Sequence, residues 1–283
     1  FMIIGIDASR LLSKEPTGVE RYAKELLSEL LPLIGGEHTI RLYVPESFVF
    51  PFPLPSNAEV RTLRWPPKRL WTQFRLAYEL FLHPPDVLFV PAHVPPWFVF
   101  CRVVLTVHDI ASEHVPGAYS VFERWYARTV LSCACRRGYT ILAPSRKTVE
   151  DVLSFAQKKT LPAPSIAETP LGISFAPITQ SVHQNSSPFF LCVGRVEKKK
   201  QTDKTICIFS AWAALHPECT HRLLIVGKPG FLYEDAVRAR EESPVKDRIV
   251  FCGFVSDSDM KKMYAEASLT FFLSSYEGFG FPV

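Results

Sequence analysis

Apolar residues along this chain alternate between two patterns. Short apolar runs of strand length fall at 2–7, 39–44, 59–63, 86–90, 102–107 and 139–143. Between several of them, apolar residues recur at helical spacing. In 19–33 they are Val19, Tyr22, Ala23, Leu26, Leu27 and Leu30. Further helices are predicted over 65–82, 119–137 and 146–155, the last with Ser145 at its amino-terminal cap. A second series follows: strands at 189–193, 222–226, 248–252 and 269–273, and helices at 202–215, 231–242 and 257–267, the last capped by Ser256. Strands that alternate with helices predict a parallel, doubly wound sheet. The run 269–273 reads as a buried strand, which without a following helix to cover it lies exposed at a sheet edge.

From about 157 to 188 the periodicity fades into prolines and polar residues, including Leu161-Pro162-Ala163-Pro164. A linker over 169–188 is predicted there, between a first domain of 1–168 and a second of 189–283. No period of 20–50 residues recurs, which excludes a repeat architecture. One helix reads two ways. Segment 65–82 interleaves Lys68, Arg69 and Arg75 with Trp65, Trp71 and Phe74, as a membrane-surface helix would. It also keeps a single apolar stripe, Leu70, Phe74, Ala77 and Tyr78, which favours an amphipathic core helix.

The 283 residues are 47% hydrophobic and 21% charged, which is ordinary for a globular protein, and the net charge is +4. That mild positive balance suits anionic substrates or a negatively charged membrane surface and is too weak to argue for nucleic acid. No apolar run is long enough to span a bilayer, and the first residues lack the basic leader and cleavage site of a signal peptide. Seven cysteines are an odd number, and Cys101, Cys192, Cys207 and Cys252 sit in apolar runs. Buried thiols in a reducing cytoplasm fit this better than a disulfide framework. Cys133 and Cys135, two apart on a helix, point to different sides and read as core or semi-buried thiols rather than a metal site.

Four stretches carry candidate chemistry. Thr17-Gly18 opens a helix and leaves amides that can face an anion. Thr106-Val107-His108-Asp109 ends a strand, where a lone histidine is most often a structural, hydrogen-bonded residue. Arg195 and Lys200 follow the strand that opens the second series. They offer a forked donor set and a point charge for phosphate, although Lys198, Lys199 and Lys204 beside them also fit a solvated basic turn. Ser275-Tyr276-Glu277-Gly278-Phe279-Gly280 puts a carboxylate and two glycines after the last strand. There a ligand can approach the backbone and sugar hydroxyls can donate to the Glu. No Asp-x-Asp ends a strand to hold a metal.

In their order along the chain these stretches resemble the retaining, nucleotide-sugar-dependent glycosyltransferases of family 4, from Gly5-Ile6-Asp7-Ala8 to Val283. The resemblance implies a GT-B fold: α/β, with two Rossmann-like doubly wound parallel-sheet domains facing a cleft. It implies transfer of a hexose, mannose or similar, from a nucleotide diphosphate sugar to a glycan or lipid-linked acceptor, without a cofactor or metal. The setting it implies is cytoplasmic, with peripheral contact at the inner membrane surface. It places Arg195 and Lys200 on the diphosphate and Glu277, with Gly278, Phe279 and Gly280, on the donor sugar and phosphate. His108 it places at the reacting centre, with Asp109 holding its loop. Gly18 lets the first domain's loop approach the diphosphate, and Ser145 and Val255 line the sugar and nucleobase sides. The family pattern continues to a second Glu eight positions after the first, where this chain has already ended. The expectation is therefore an incomplete second domain and no transfer by residues 1–283. The alternative is a shortened homologue that binds nucleotide or acceptor without catalysis, or acts as an interaction surface.

Two other nucleotide-binding classes lack their signatures. A dinucleotide oxidoreductase needs Gly-x-Gly-x-x-Gly directly after a strand, and neither Gly227-Lys228-Pro229-Gly230 nor the first strand supplies it. The Gly-x-x-x-x-Gly-Lys-Ser/Thr loop of P-loop nucleotidases is absent.

Overall fold

The computed structural model describes residues 1–13, 16–65, 70–92, 94–172 and 187–280. The chain divides into two compact units. Phe1–Ile110 and Trp125–Leu171 form the first, and Ala111–Arg124 and Gly172–Val283 the second. The linker expected at 169–188 falls mostly outside the described residues.

The first unit is built on a seven-stranded parallel sheet. Its strands are β1 (Ile3–Asp7), β2 (Thr39–Val44), β3 (Ala58–Thr62), β4 (Val87–Val90), β5 (Arg102–Thr106), β6 (Thr140–Ala143) and β7 (Ser165–Glu168), in the order β3-β2-β1-β4-β5-β6-β7. Ile4 pairs with Ile40 and Ile6 with Leu42. Alternate residues feed opposite faces. Leu88 and Val90 join a cluster with Trp71, Leu80, Leu105 and Phe155, while Phe89 joins Ile6, Leu27, Leu31 and Leu42. Each fully buried Leu or Ile contributes roughly 1.5–3 kcal/mol, so covering both faces is what holds the sheet. Helices α1 (Gly18–Leu33), α2 (Ala77–Leu82) and α5 (Arg146–Lys158) supply that cover.

The second unit holds a four-stranded parallel sheet in the order β10-β9-β8-β11. Its strands are β8 (Phe189–Val193), β9 (Arg222–Val226), β10 (Ile249–Gly253) and β11 (Leu269–Phe271). Helices α6 (Thr202–Leu215) and α7 (Tyr233–Glu241) pack on one face through Ile206, Phe209 and Ala236, and α8 (Asp257–Glu266) packs on the other through Met260 and Met263. The segment Ala111–Arg124 carries the short α3 (Ala111–His114) and the first turn of α4 (Val121–Arg137).

Four expectations are corrected. Of the stripe assigned to the core, Leu70, Phe74 and Tyr78 face solvent and Ala77 is half-buried, and Trp71, Leu76 and Leu80 make the core contact instead. Leu70 has φ +65° and the following turn, Thr72–Leu76, is π-helical. This offset rotates the buried face away from the one that regular helical spacing selects. Strand β7 lies where fading periodicity and prolines predict no strand, yet it pairs with β6 as a sheet edge, where proline is tolerated. Among the described residues strand β11 is an edge strand with Leu269 46% exposed, so the buried reading of 269–273 is corrected and the sheet-edge reading holds. Cys207 is exposed on α6, while all seven cysteines are free thiols.

Candidate functional site

The first unit gathers His108, Tyr22 and the mouth of α1. Val107 extends β5 by donating its N–H to Leu142 O (2.9 Å), which fixes the backbone just before His108. The His108 Nε2–H donates to the Pro91 carbonyl at 3.1 Å, so Nδ1 is the acceptor of the neutral ring. Tyr22 meets the imidazole edge-on at 4.8 Å, and its hydroxyl lies 3.2 Å from Thr106 Oγ1. Gly18, four residues before Tyr22, is therefore on the same side of α1. A Cβ there would meet nothing within 4 Å, so the space in front of this turn is open. A capping box secures the turn, with the Glu20 carboxylate accepting the Thr17 N–H at 3.0 Å and pairing with Arg10 at 3.6 Å.

Burial pushes the His108 imidazolium below its ordinary 6.5, against the opposing pull of the Pro91 carbonyl and the Asp109 carboxylate. The neutral ring's contribution to stability is therefore complete above the unfolded value and is lost as pH falls through the lowered one. Between about pH 7 and pH 5, the parent protein should lose more melting temperature than His108→Gln does. Parallel melting curves for the two would show that this histidine is not buried.

Ser145 follows β6, the strand next to β5, and its hydroxyl accepts the Thr148 N–H at 3.2 Å as the cap of α5. The capping role read from sequence is thus observed.

In the second unit a glycine in the left-handed or positive-φ region ends each of three neighbouring strands. These are Gly194 after β8 (φ +138°), Gly227 after β9 (φ +146°) and Gly253 at the end of β10 (φ +67°). Gly194 N–H donates to Val226 O at 2.9 Å and Gly227 N–H to Gly253 O at 2.8 Å, so each turn leans on the next strand's end. At Gly227 a Cβ would stand 1.8 Å from the Gly194 carbonyl oxygen.

Over this glycine edge lies Lys200. Its stem passes Gly194, where a Cβ would come within 3.4 Å of Cε. The ammonium reaches Glu277 Oε1 at 2.5 Å and sits 5.5 Å from the Phe272 ring centre. Both partners are mostly buried, with side chains 16% and 20% exposed. The two loops that meet here are also joined by their backbones. Ser275 N–H donates to Lys199 O at 2.9 Å, and the Gln201 side chain bonds the Ser275 hydroxyl. Tyr276 is buried and stacks on His114 of α3 at 4.5 Å. Gly278 is buried, Phe279 is exposed, and Gly280 has φ +89°.

The neighbouring cations behave differently. Lys198 bridges Asp203 of α6 (3.0 Å) and Asp235 of α7 (3.2 Å), and the two carboxylates hold its ammonium above the ordinary value. Arg195 is 54% exposed and pairs loosely with Glu197 at 3.7 Å. Val255 is part of the apolar cluster of Leu191, Val226 and Met260.

A carboxylate and an ammonium at the carboxyl edge of a parallel sheet, with glycines beneath, suit a phosphorylated sugar. Residues 16–161, just over half of the chain, match the model for Glycosyltransferase Family 4, and residues 177–283 match Glycosyl transferases group 1. The chain belongs to glycosyltransferase family 4. The first match spans Gly18, His108, Asp109 and Ser145, and the second spans Arg195, Lys200, Val255 and Glu277. No curated protein matches this glycosyltransferase by sequence.

Solved structures share its GT-B fold. Sucrose-phosphate synthase from Thermosynechococcus elongatus superposes with a TM-score of 0.69 at 15% identity, over 99% of this chain and 77% of that one. WaaG, a glycosyltransferase involved in lipopolysaccharide biosynthesis, gives 0.66 at 16% identity, over 98% and 76%. HepE from Anabaena, solved in complex with UDP-glucose, gives 0.62 at 16% identity, over 98% and 75%. Among the described residues of this glycosyltransferase, no helix is long and apolar enough to cross a membrane.

Sequence reasoning missed Tyr22, Gly227, Gly253 and Phe272 as parts of these sites. The two glycines carried a signal: like Gly194, each stands at the end of a strand.

Proposed function

We propose that this glycosyltransferase moves a hexose, mannose or a similar sugar, with retention of configuration, from a nucleotide diphosphate donor to a glycan or lipid-linked acceptor. The proposed setting is the cytoplasmic face of a membrane. The observation that carries the reading is the Lys200–Glu277 contact across Gly194, which joins a cation suited to a diphosphate to a carboxylate suited to sugar hydroxyls.

In this reading Lys200 and Arg195 take up the charge of the leaving diphosphate, the work a metal does elsewhere. Arg195 is exposed enough to turn its fork toward phosphate oxygens. Glu277 accepts from donor-sugar hydroxyls, and the amides of Gly278, Phe279 and Gly280 support sugar and phosphate. Gly18 leaves room for the diphosphate, Ser145 lies on the sugar side and Val255 on the nucleobase side. His108, neutral, serves the reacting carbon, with Asp109 steadying its loop. The bond from the anomeric carbon to the diphosphate oxygen breaks through an oxocarbenium-like state. The same oxygen then takes the proton of the acceptor hydroxyl, which bonds the carbon on the face just vacated. The UDP-glucose complex of HepE supports a nucleotide-sugar donor, and the lipopolysaccharide role of WaaG supports a glycan or lipid-linked acceptor.

Thermal-shift screening against UDP- and GDP-hexoses tests the donor assignment, and titration of variants tests the residues. Lys200→Ala and Arg195→Ala should each weaken donor binding by about 1–3 kcal/mol, because each removes a charge-assisted contact. Lys198→Ala should leave affinity nearly unchanged and lower stability, since Lys198 ties α6 to α7. Equal small effects on affinity at all three positions would reduce the basic stretch to a solvated turn.

A further inference from the structure

The first unit exposes an apolar strip that its core does not use. Leu70 (60% exposed), Phe74 (53%), Tyr78 (58%) and Phe81 (63%) recur at helical spacing along one side of the Thr72–Leu76 turn and α2. The strip continues onto the loop before β5. Phe81 meets Phe100 (74% exposed) edge-on at 5.9 Å, and Phe98 (64% exposed) lies two residues earlier. At the other end Trp65 stacks on Phe74 at 6.3 Å. Contiguous apolar strips of this extent mark interaction sites in proteins that are otherwise water-facing.

Among the described residues, the exposed charge beside the strip is mostly basic. Arg137 sits 5.8 Å from the Phe98 ring centre and donates to Val99 O at 3.3 Å. Arg64 and Arg102 are exposed, next to Trp65 and two residues after Phe100. The one carboxylate in Thr72–Leu82, Glu79, is turned inward and paired with Arg75 (3.1 Å) and His83 (3.3 Å). The exposed Asp86, just before β4, accepts the Ile3 N–H at 2.6 Å and offsets part of this basic charge. Aromatic rings beside exposed arginines, with the helix carboxylate withdrawn, complement the headgroup region of an anionic bilayer.

We propose that this strip docks the enzyme peripherally on an anionic membrane surface, with Phe74, Tyr78, Phe81 and Phe100 entering the headgroup region and Arg64, Arg102 and Arg137 meeting lipid phosphates. The proposal deepens the reading of a lipid-linked acceptor at a membrane face, and it is tested without donor or acceptor, so either can fail alone. Co-sedimentation with phosphatidylcholine:phosphatidylglycerol vesicles, and with phosphatidylcholine vesicles, is the measurement. The parent should bind the mixed vesicles at least about ten-fold more tightly than the neutral ones, and added salt should weaken that binding. Phe74→Ser/Phe81→Ser/Phe100→Ser should lose at least about ten-fold of it with an unchanged melting temperature, because the three rings are exposed. Arg64→Gln and Arg102→Gln should each cost about five-fold on mixed vesicles only. Equal binding by the triple variant, no binding by the parent, or equal binding to both vesicle types would overturn the proposal. A self-association in sedimentation equilibrium that the triple variant abolishes, without vesicle binding, would assign the strip to a second copy of the chain and overturn it as well.

Discussion

Replacing His108 with alanine in the full-length glycosyltransferase should cut turnover about 100- to 1000-fold while donor affinity stays nearly constant, the pattern of a group that acts on the transition state. The structure gives a reason to expect a clean separation. The ring is neutral, its Nε2–H is committed to Pro91, and Tyr22 packs against it, so its orientation is set before any ligand arrives. The groups proposed to hold the diphosphate, Arg195 and Lys200, belong to the other unit. Removing the imidazole leaves those contacts in place. Tyr22→Phe is the companion variant: it keeps the edge-on ring packing, deletes only the hydroxyl beside Thr106, and should retain most of the turnover. Normal turnover by His108→Ala, with nothing but a lower melting temperature, would make His108 a structural histidine.

Gly227→Ala should destabilise the second unit by about 3 kcal/mol or more, from two independent causes. The backbone there has φ +146°, a region that L side chains rarely enter, at a cost of roughly 1–3 kcal/mol. The added Cβ would also stand 1.8 Å from the Gly194 carbonyl oxygen and 2.6 Å from its carbon. Both are backbone atoms of a residue tied to the end of β9 by its N–H bond to Val226 O, so no side chain can swing away, and overpacking adds about 1–3 kcal/mol more. Any relief must push Gly194 and Arg195, and Gly194 is the floor under the Lys200 stem. A variant that does fold should therefore also bind donor less well. Gly18→Ala provides the contrast. Its site is open, φ there is not positive, and its stability should stay close to the parent's. Chemical denaturation of the two variants is the test, and equal stability would remove Gly227 as a fixed point of the donor loop.

Hydrophobic periodicity placed nearly every strand of both units, because a parallel sheet covered on two faces demands unbroken apolar runs. It failed where local rules were overridden. Prolines around 161–164 hid β7, which tolerates them as an edge strand. In 65–82 the apolar stripe was visible and its direction was not. Side chains repeat at nearly the same interval whichever way a helix faces, and a π-helical turn with Leu70 at φ +65° set the rotation. The residues buried there, Trp71, Leu76 and Leu80, lie on the other side, so the visible stripe is an exposed aromatic strip and not core.

The candidate sites divide in the same way. Residue types and their order were legible: His108 at a strand end, Gly18 at a helix mouth, Arg195 and Lys200 after β8, Glu277 and the glycines after β11. These follow from local sequence, since a strand end, a turn and a cap are each specified within a few residues. Which cation would meet the carboxylate was beyond that range. Lys198, Lys199 and Lys200 are chemically identical neighbours. Only the packing of α6 and α7 assigns Lys198 to Asp203 and Asp235, and only the parallel pairing of β11 with β8 brings Glu277, 77 residues away, to Lys200. Local sequence was enough for the family, for every described strand except β7, and for the chemistry of the groups. The tertiary structure alone decided their partners and exposure, because both depend on contacts between segments that local propensity does not couple.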